Sequence, residues 1–270
     1  MKLDGANVVI TGASRGIGAG LAHAFGAAGA NVIGAARSVV EVAGVVAPHG
    51  GAAIRLDAAD PTDVDGFVGR VEAEHGPIDV LINNAGVEVN SLFEEMAPDD
   101  IERLMRVNLL TPMHLTRQVL PSMLERDRGS LVYTSSIASV GGNPTLSTYS
   151  SSKAGLTRFA ESIRMEVAHD NVDVTILHLG PVDTSMWGRL DTGEGSPMAT
   201  YMSRGKKLGL VAPANVDDVS QATVAAVVAG KREVRLPKRT AGVSAINVAG
   251  TRINEAVHRG IDVRAENGKR

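Results

Sequence analysis

The chain has 270 residues, 44% of them hydrophobic, and a formal net charge of -3 from 27 basic and 30 acidic side chains. That length and apolar content suit one α/β domain with a single sizeable core. The basic residues are dispersed, which excludes the electrostatic footprint of a nucleic-acid binder and favours small-molecule chemistry. Cysteine is absent and the seven histidines show no metal-ligand spacing, so disulfides, thiolate chemistry and a bound metal are not expected.

Short β-branched runs alternate with longer helical stretches. Ala6–Thr11 and Asn31–Ala36 read as strands around a helix from Gly16 to Ala28, which Gly29 stops. A strand at Ala52–Asp57, a helix from Pro61 to His75 and a strand at Ile78–Asn83 continue the rhythm, with Pro61 suited to a first helical turn. Two helical stretches follow between Glu94 and Arg126, then a strand at Ser130–Ser135, a helix from about Thr148 to His169 and a strand at Asp173–Leu179. Asp183 to Pro213 is Gly- and Met-bearing and weakly periodic, and is expected to be a mobile lid over about 183–213. Asn215–Ala229 reads as a helix, Glu233–Leu236 as a last strand, and Val243–His258 as an amphipathic helix within a C-terminal tail, 241–270.

This order implies a doubly wound α/β sheet of about seven parallel strands flanked by helices, in one domain over residues 1–240. No run approaches the ~18 apolar residues of a membrane span. No secretory leader is expected either, which leaves a cytoplasmic protein.

The first strand ends in Thr11-Gly12-Ala13-Ser14-Arg15-Gly16-Ile17-Gly18 and opens a helix. In that context a Gly-rich turn brings backbone N–H groups and a helix N-terminus onto a pyrophosphate. The spacing is TGxxxGxG, and with it the sequence resembles the short-chain dehydrogenase/reductase family, whose Rossmann-type fold binds a nicotinamide dinucleotide. The second strand ends in Ala35-Ala36-Arg37-Ser38, with no carboxylate at the position that binds the ribose 2′-OH of NAD. Arg37 can fork onto a 2′-phosphate. Arg15 supplies a second cation and matches the pattern of NADP-preferring members, so NADP(H) is expected, with NAD(H) possible.

The resemblance extends in order. Asp57, before Ala58, is similar to the family residue that binds the adenine amino group; its alternative is a helix cap, for which Asp60 is better placed. Asn83-Asn84-Ala85-Gly86 matches the NNAG motif, where one Asn steadies the sheet and the backbone lines the ribose. Gly180-Pro181-Val182-Asp183-Thr184 is similar to the segment in which Val182 and the Thr184 hydroxyl hold the nicotinamide carboxamide.

Hydride transfer to a ketone needs a proton donor for the developing alkoxide, a polariser of the carbonyl and the bound nicotinamide. Tyr149 and Lys153 lie four apart at the start of a predicted helix, within reach on one face. Moving a tyrosine from ~10 to ~7 takes roughly 4 kcal/mol of phenolate stabilisation. A fixed ammonium and the positive ring of the oxidised cofactor can supply it in a water-poor cleft.

Tyr149-Ser150-Ser151-Ser152-Lys153 is the family's YxxxK, and Ser136, thirteen residues before the tyrosine, falls where the family carries its substrate-polarising serine. Strand alternation lets only one of Ser135 and Ser136 face the cleft, and the family register selects Ser136. Asn108 matches the Asn that holds a water beside the lysine in a proton relay; its alternative is a helix-kinking or capping Asn.

The implied activity is NADP(H)-dependent hydride transfer to or from a carbonyl or secondary alcohol (a CH–OH group). Met186, Trp187, Met198, Tyr201 and Met202 in the lid suit a lipophilic substrate, or equally pack the lid onto the core. The tail, with Arg252, Arg259 and Arg264, departs from the family pattern and reads as a docking helix in a homo-oligomer, a dimer or a tetramer. Two rivals stand beside this reading: an NADP-sensing binding protein without turnover, and a dehydratase or epimerase of the same family, whose members usually carry TGxxGxxG.

Overall fold

The computed structural model describes residues 1–184 and 213–237. Seven strands, β1 (Asn7–Thr11), β2 (Asn31–Ala36), β3 (Ala52–Arg55), β4 (Val80–Asn83), β5 (Gly129–Ser136), β6 (Val172–Leu179) and β7 (Glu233–Leu236), form one sheet in the order β3-β2-β1-β4-β5-β6-β7. Every pairing is parallel. From β1 the chain winds outward through β2 and β3, then returns to the other side of β1 at β4 and winds outward again. Ligands of open α/β sheets bind beyond the strand C-termini at such a reversal.

Helices cover both faces: α1 (Gly16–Ala27), α2 (Val39–Val46), α3 (Pro61–Val64), α4 (Phe67–His75), α5 (Pro98–Met105), α6 (Thr111–Glu125), α7 (Ser147–Glu166) and α8 (Val216–Val228). The strands are therefore buried on both sides and read as continuous apolar runs. In β1, Val8 and Ile10 pack with Leu21, Phe25 and Val219 under α1 and α8, while Val9 joins Leu81, Leu115, Val119 and Tyr133 under α6 and α7. The Tyr133 phenol, fully buried, shares a 2.8 Å hydrogen bond with Thr116 Oγ1 and belongs to this core.

Three local departures from the sequence reading have physical causes. The helix expected from Pro61 to His75 is two helices, because Asp65 is extended and Gly66 takes φ +64°, which a β-carbon disfavours. Arg70 braces the break by donating to the Asp65 and Asp63 carbonyls at 2.8 and 2.6 Å. Helix α2 had no expected counterpart: its sequence VVEVAGVV is β-branched, contains a glycine and leaves Val40 85% exposed, so helix propensity and periodicity are both weak. Ser38 starts it by accepting from the Glu41 N–H. Finally, α5 and α6 are joined by a π-helical turn, Arg106–Leu110, with Asn108 at its centre.

The expected lid lies outside the described residues from 185 to 212, as do Met186, Trp187, Met198, Tyr201 and Met202 and the tail from 238 to 270. Among the described residues no helix is long and apolar enough to cross a membrane.

Candidate active site

The C-terminal strand ends open into one cleft of about 710 Å³. Gly12, Ser14, Arg15, Ile17 and Gly18 form one part of its wall, with Arg37, Asp57 and Ala58 from the ends of β2 and β3. Asn84, Ala85 and Gly86 line the centre, and Ser136, Tyr149, Lys153, Pro181, Val182 and Thr184 line the other end. Asn108 is fully buried behind that wall. Among the described residues no three acidic or histidine side chains converge on a possible metal site.

At two of its glycines the turn has no room for a side chain. A β-carbon on Gly12 would stand 2.9 Å from Ala85 Cα, and one on Gly18 would stand 2.1 Å from the Gly12 carbonyl oxygen. Gly12 and Gly16 also take φ of +69° and +55°. Arg15, which precedes α1, gives it no side-chain cap and its first turn has no acidic residue, so its leading N–H groups, on residues that line the cleft, have no side-chain acceptor of their own. These features fit a dinucleotide pyrophosphate.

At the far end of that wall Arg15 and Arg37 are exposed. Asp57 closes a turn by accepting from the Ala59 N–H at 3.0 Å, whereas Asp60 is the helix cap, accepting from the Thr62 N–H at 2.8 Å. Glu41, in the first turn of α2, also lines this end. The end of β2 carries no carboxylate, but helix α2, which the sequence pattern does not announce, brings one.

Of the two Asn residues in the NNAG segment, Asn84 ties the sheet together. Its Nδ2 donates to the Thr11 carbonyl at 3.0 Å, and its backbone N–H and that of Ala85 donate to the Thr11 hydroxyl, both at 3.0 Å. Asn83 is buried with both amide atoms unpartnered among the described residues. Thr11 was not singled out from sequence; its place as the first residue of TGxxxGxG was the available signal.

Strand alternation separates the two serines. Ser135 turns to α7, where its hydroxyl pairs with Thr157 Oγ1 at 2.7 Å and reaches the Lys153 carbonyl at 3.2 Å. Ser136 lies on the cleft wall beside Tyr149, where its hydroxyl accepts from the Ala138 N–H at 3.1 Å. Lys153, 4% exposed, donates from Nζ to the Thr134 carbonyl at 2.8 Å and stands 5.8 Å from the centre of the Tyr149 ring.

Asn108 spends its side chain on the protein. Its Oδ1 accepts from Val87 N–H and its Nδ2 donates to Val87 O, both at 2.9 Å, with a further 3.1 Å bond to Ser152 Oγ. Between Asn108 and Lys153 sits Gly86, whose β-carbon would stand 3.5 Å from Asn108 Oδ1 and 3.6 Å from Lys153 Nζ. Thr184 packs its methyl against Gly16, 3.4 Å from where a β-carbon there would be. Val182 pairs with Ala214 in an isolated parallel bridge.

Burial pushes the Tyr149 phenol up to about 12; the Glu88 charge adds to the rise and the Ser136 hydrogen bond opposes it. Burial brings the Lys153 ammonium down to about 8, with Glu88 acting the other way. The lowered phenol expected from sequence is therefore not a property of the chain's own groups. Lys153 is committed to the Thr134 carbonyl, and the desolvation of the phenol outweighs its stabilisation.

The family model described as short chain dehydrogenase matches residues 6–195. The chain belongs to the short-chain dehydrogenase/reductase family. It is 37% identical over 204 residues to a dehydrogenase/reductase SDR family protein 7-like from Anopheles gambiae, covering 72% of this chain and 64% of that one. The chain thus spans a little under two thirds of that relative's length. It is 35% identical over 219 residues to the ketoacyl reductase HetN of a Nostoc species, covering 79% and 73% of the two chains. A metagenomic short-chain oxidoreductase crystallised with NADP superposes with a TM-score of 0.68 at 28% identity, covering 87% of this chain and 98% of that one. The family is one of NAD(P)-dependent oxidoreductases, and this solved neighbour holds NADP.

Proposed function

We propose that this oxidoreductase transfers hydride between NADP(H) and a carbonyl compound or its secondary alcohol. The observation that carries this reading is that Ser136, Tyr149 and Lys153 line the same cleft as the glycine turn of α1. Gly12, Ser14, Arg15, Ile17 and Gly18 would hold the pyrophosphate, Arg15 and Arg37 the 2′-phosphate, Asp57 and Ala58 the adenine, Asn84, Ala85 and Gly86 the ribose side, and Pro181, Val182 and Thr184 the nicotinamide. When bound, the nicotinamide supplies the hydride and, once oxidised, a positive charge.

The protein's own groups do the rest. Ser136 Oγ donates to the substrate oxygen and stabilises the charge that develops there. Tyr149 gives that oxygen a proton in reduction and takes it back in oxidation. Lys153 holds the proton relay behind Tyr149, and Asn108 fixes Val87 and with it the loop that carries Gly86. With its phenol raised to about 12, Tyr149 is protonated throughout the neutral range.

The name of the Nostoc relative, a ketoacyl reductase, supports a carbonyl substrate, and Val140 and Leu146 on the cleft wall support one with an apolar body. The same reading has the protein working in the cytoplasm, where its cofactor is supplied, as a homo-oligomer. A screen of ketones and secondary alcohols from small to steroid-sized, followed by nicotinamide absorbance, tests it. Turnover that disappears in Tyr149→Phe while NADPH binding persists is expected; turnover that survives the substitution overturns the acid/base role.

A further inference from the structure

His23 and His49 lie 26 residues apart in the chain, so no spacing in the sequence announces them as a pair. His23 is exposed on α1, one turn before that helix ends, and His49 is half-buried at the end of the single 3₁₀ turn Ala47–His49 that follows α2. Two features fix His49. Its turn contains Pro48 and is closed by Gly50, which takes φ +68° and donates its N–H to the Ala47 carbonyl at 3.0 Å. Gly26, three residues beyond His23 on the same side of α1, leaves the notch in which the His49 ring lies: a β-carbon there would stand 2.5 Å from His49 Cγ.

The seated ring brings its Nε2 to 3.3 Å from His23 Nδ1, with the ring centres 5.5 Å apart and the planes at 65°. That separation is longer than most hydrogen bonds from an N–H, which run to about 3.2 Å. It matches the edge of a coordination tetrahedron, because two imidazole nitrogens bound to one ion at ~2.0–2.1 Å stand ~3.3–3.4 Å apart. Paired neutral imidazoles suit zinc, nickel and copper among divalent ions. No third histidine or carboxylate completes the group among the described residues, which leaves the other positions of such an ion to water.

We infer that His23 and His49 form a binding site for one divalent transition-metal ion of the zinc type, open to exchange and completed by water. The ion takes the place of the proton between the rings. The ring that donates that proton carries it on its other nitrogen when the ion is bound, so both rings stay neutral and both facing nitrogens are ligands. The bound ion ties the last turn of α1 to the turn that ends α2. The first turns of the same two helices carry Gly16, Ile17 and Gly18 and Glu41 on the cleft wall, so the clasp holds both helices at the end remote from the cleft. The inference stands apart from the hydride-transfer reading.

The test is a calorimetric titration of the full, tag-free chain with zinc chloride in mildly alkaline buffer, where imidazoles are free to ligate. One zinc per chain is expected, and thermal melts should rise with added zinc as for any ligand that binds only the folded chain. His23→Gln and His49→Gln should each weaken this binding by ~10–100-fold or more, at least the loss seen when a mere outer-shell partner of a metal is removed. His114→Gln, an exposed histidine on α6, should leave it unchanged. Gly26→Ala keeps both ligands but forces the His49 ring to move, and should weaken zinc binding while the apo protein still melts cooperatively. Absence of one-to-one binding by the wild type, or binding of equal strength in the His23→Gln/His49→Gln double variant, overturns the inference.

Discussion

Thr11 and Asn84 are joined twice across the β1–β4 seam: the Asn84 N–H donates to the Thr11 hydroxyl, and the Asn84 amide donates to the Thr11 carbonyl, each at 3.0 Å. The same hydroxyl takes the Ala85 N–H and itself donates to the Ile82 carbonyl at 3.3 Å. One buried hydroxyl thus holds the glycine turn against the centre of the cleft. Thr11→Val keeps the shape and leaves the Ala85 N–H without its acceptor, a loss of ~1–3 kcal/mol. Urea unfolding should show that loss together with weaker NADPH binding, and Thr11→Ser should recover most of both. A fully stable valine variant with normal cofactor affinity would mean the seam is held elsewhere.

The pH dependence of stability follows from the two buried groups. The folded Lys153 titrates near 8 instead of 10.5, chiefly from burial, so between these values the unfolded chain binds the extra proton and stability rises with pH. The folded Tyr149 titrates near 12 instead of 10, again chiefly from burial, so stability is lost as pH rises through that window. Tyr133, raised by the same cause, adds to the fall. Urea midpoints taken from about pH 7 to about pH 11 should therefore pass through a maximum near pH ~10. Lys153→Met should flatten the rising limb and Tyr149→Phe the falling one; limbs that survive both substitutions contradict this assignment.

On the proposed reading, cofactor choice is set by charges on the exposed end of the cleft. Arg37→Asp should move the ratio of NADPH to NADH affinity toward NADH by ~10-fold or more, the scale of one lost charge-assisted contact plus a new repulsion. Glu41→Gln should move it the other way, by a smaller factor that shrinks with added salt. Fluorescence titration with the two reduced cofactors measures both, and a ratio indifferent to Arg37 would show that the 2′-phosphate is read elsewhere.

Two glycines in similar helical settings should respond in opposite ways. Gly18→Ala drives a methyl into the Gly12 backbone, with 2.1 Å to its carbonyl oxygen, and should unfold the cradle or abolish NADPH binding. Gly44→Ala in α2 meets nothing within 4 Å and should stabilise the protein by ~0.5–1 kcal/mol through helix propensity alone. Thermal melts of the two variants settle the contrast, and a destabilised Gly44→Ala would count against the placement of α2.

The alternating order of strands and helices was legible in the sequence because each parallel strand is buried on both faces and reads as an apolar run. The motif residues were legible because they sit at strand ends, where the chain has little freedom: Gly12 after β1, Arg37 after β2, Asn84 after β4, Ser136 at the end of β5. What could not be read depends on tertiary placement. Helix α2 is assembled from poor helix formers held by a Ser38 cap and by packing on β2, and its absence hid Glu41. The π turn around Asn108 exists because Asn108 reaches back to Val87, a contact spanning 21 residues. Glu88 follows a motif without belonging to it, and the phenol of Tyr149 is governed by desolvation, which no spacing of residues reports.

Strands β1 and β4 meet over only three paired positions, Val8 with Val80, Val9 with Leu81 and Ile10 with Ile82. The strands that lie between them in the chain, β2 and β3, extend the sheet on the β1 side. As the polypeptide leaves the ribosome, the phosphate turn is therefore made early but has no floor until Asn84 and Ala85 have emerged to meet Thr11. The nascent chain cannot recruit its nucleotide to a finished cradle before that point, and a split of the gene anywhere between these strands would yield two fragments that each carry half of one site.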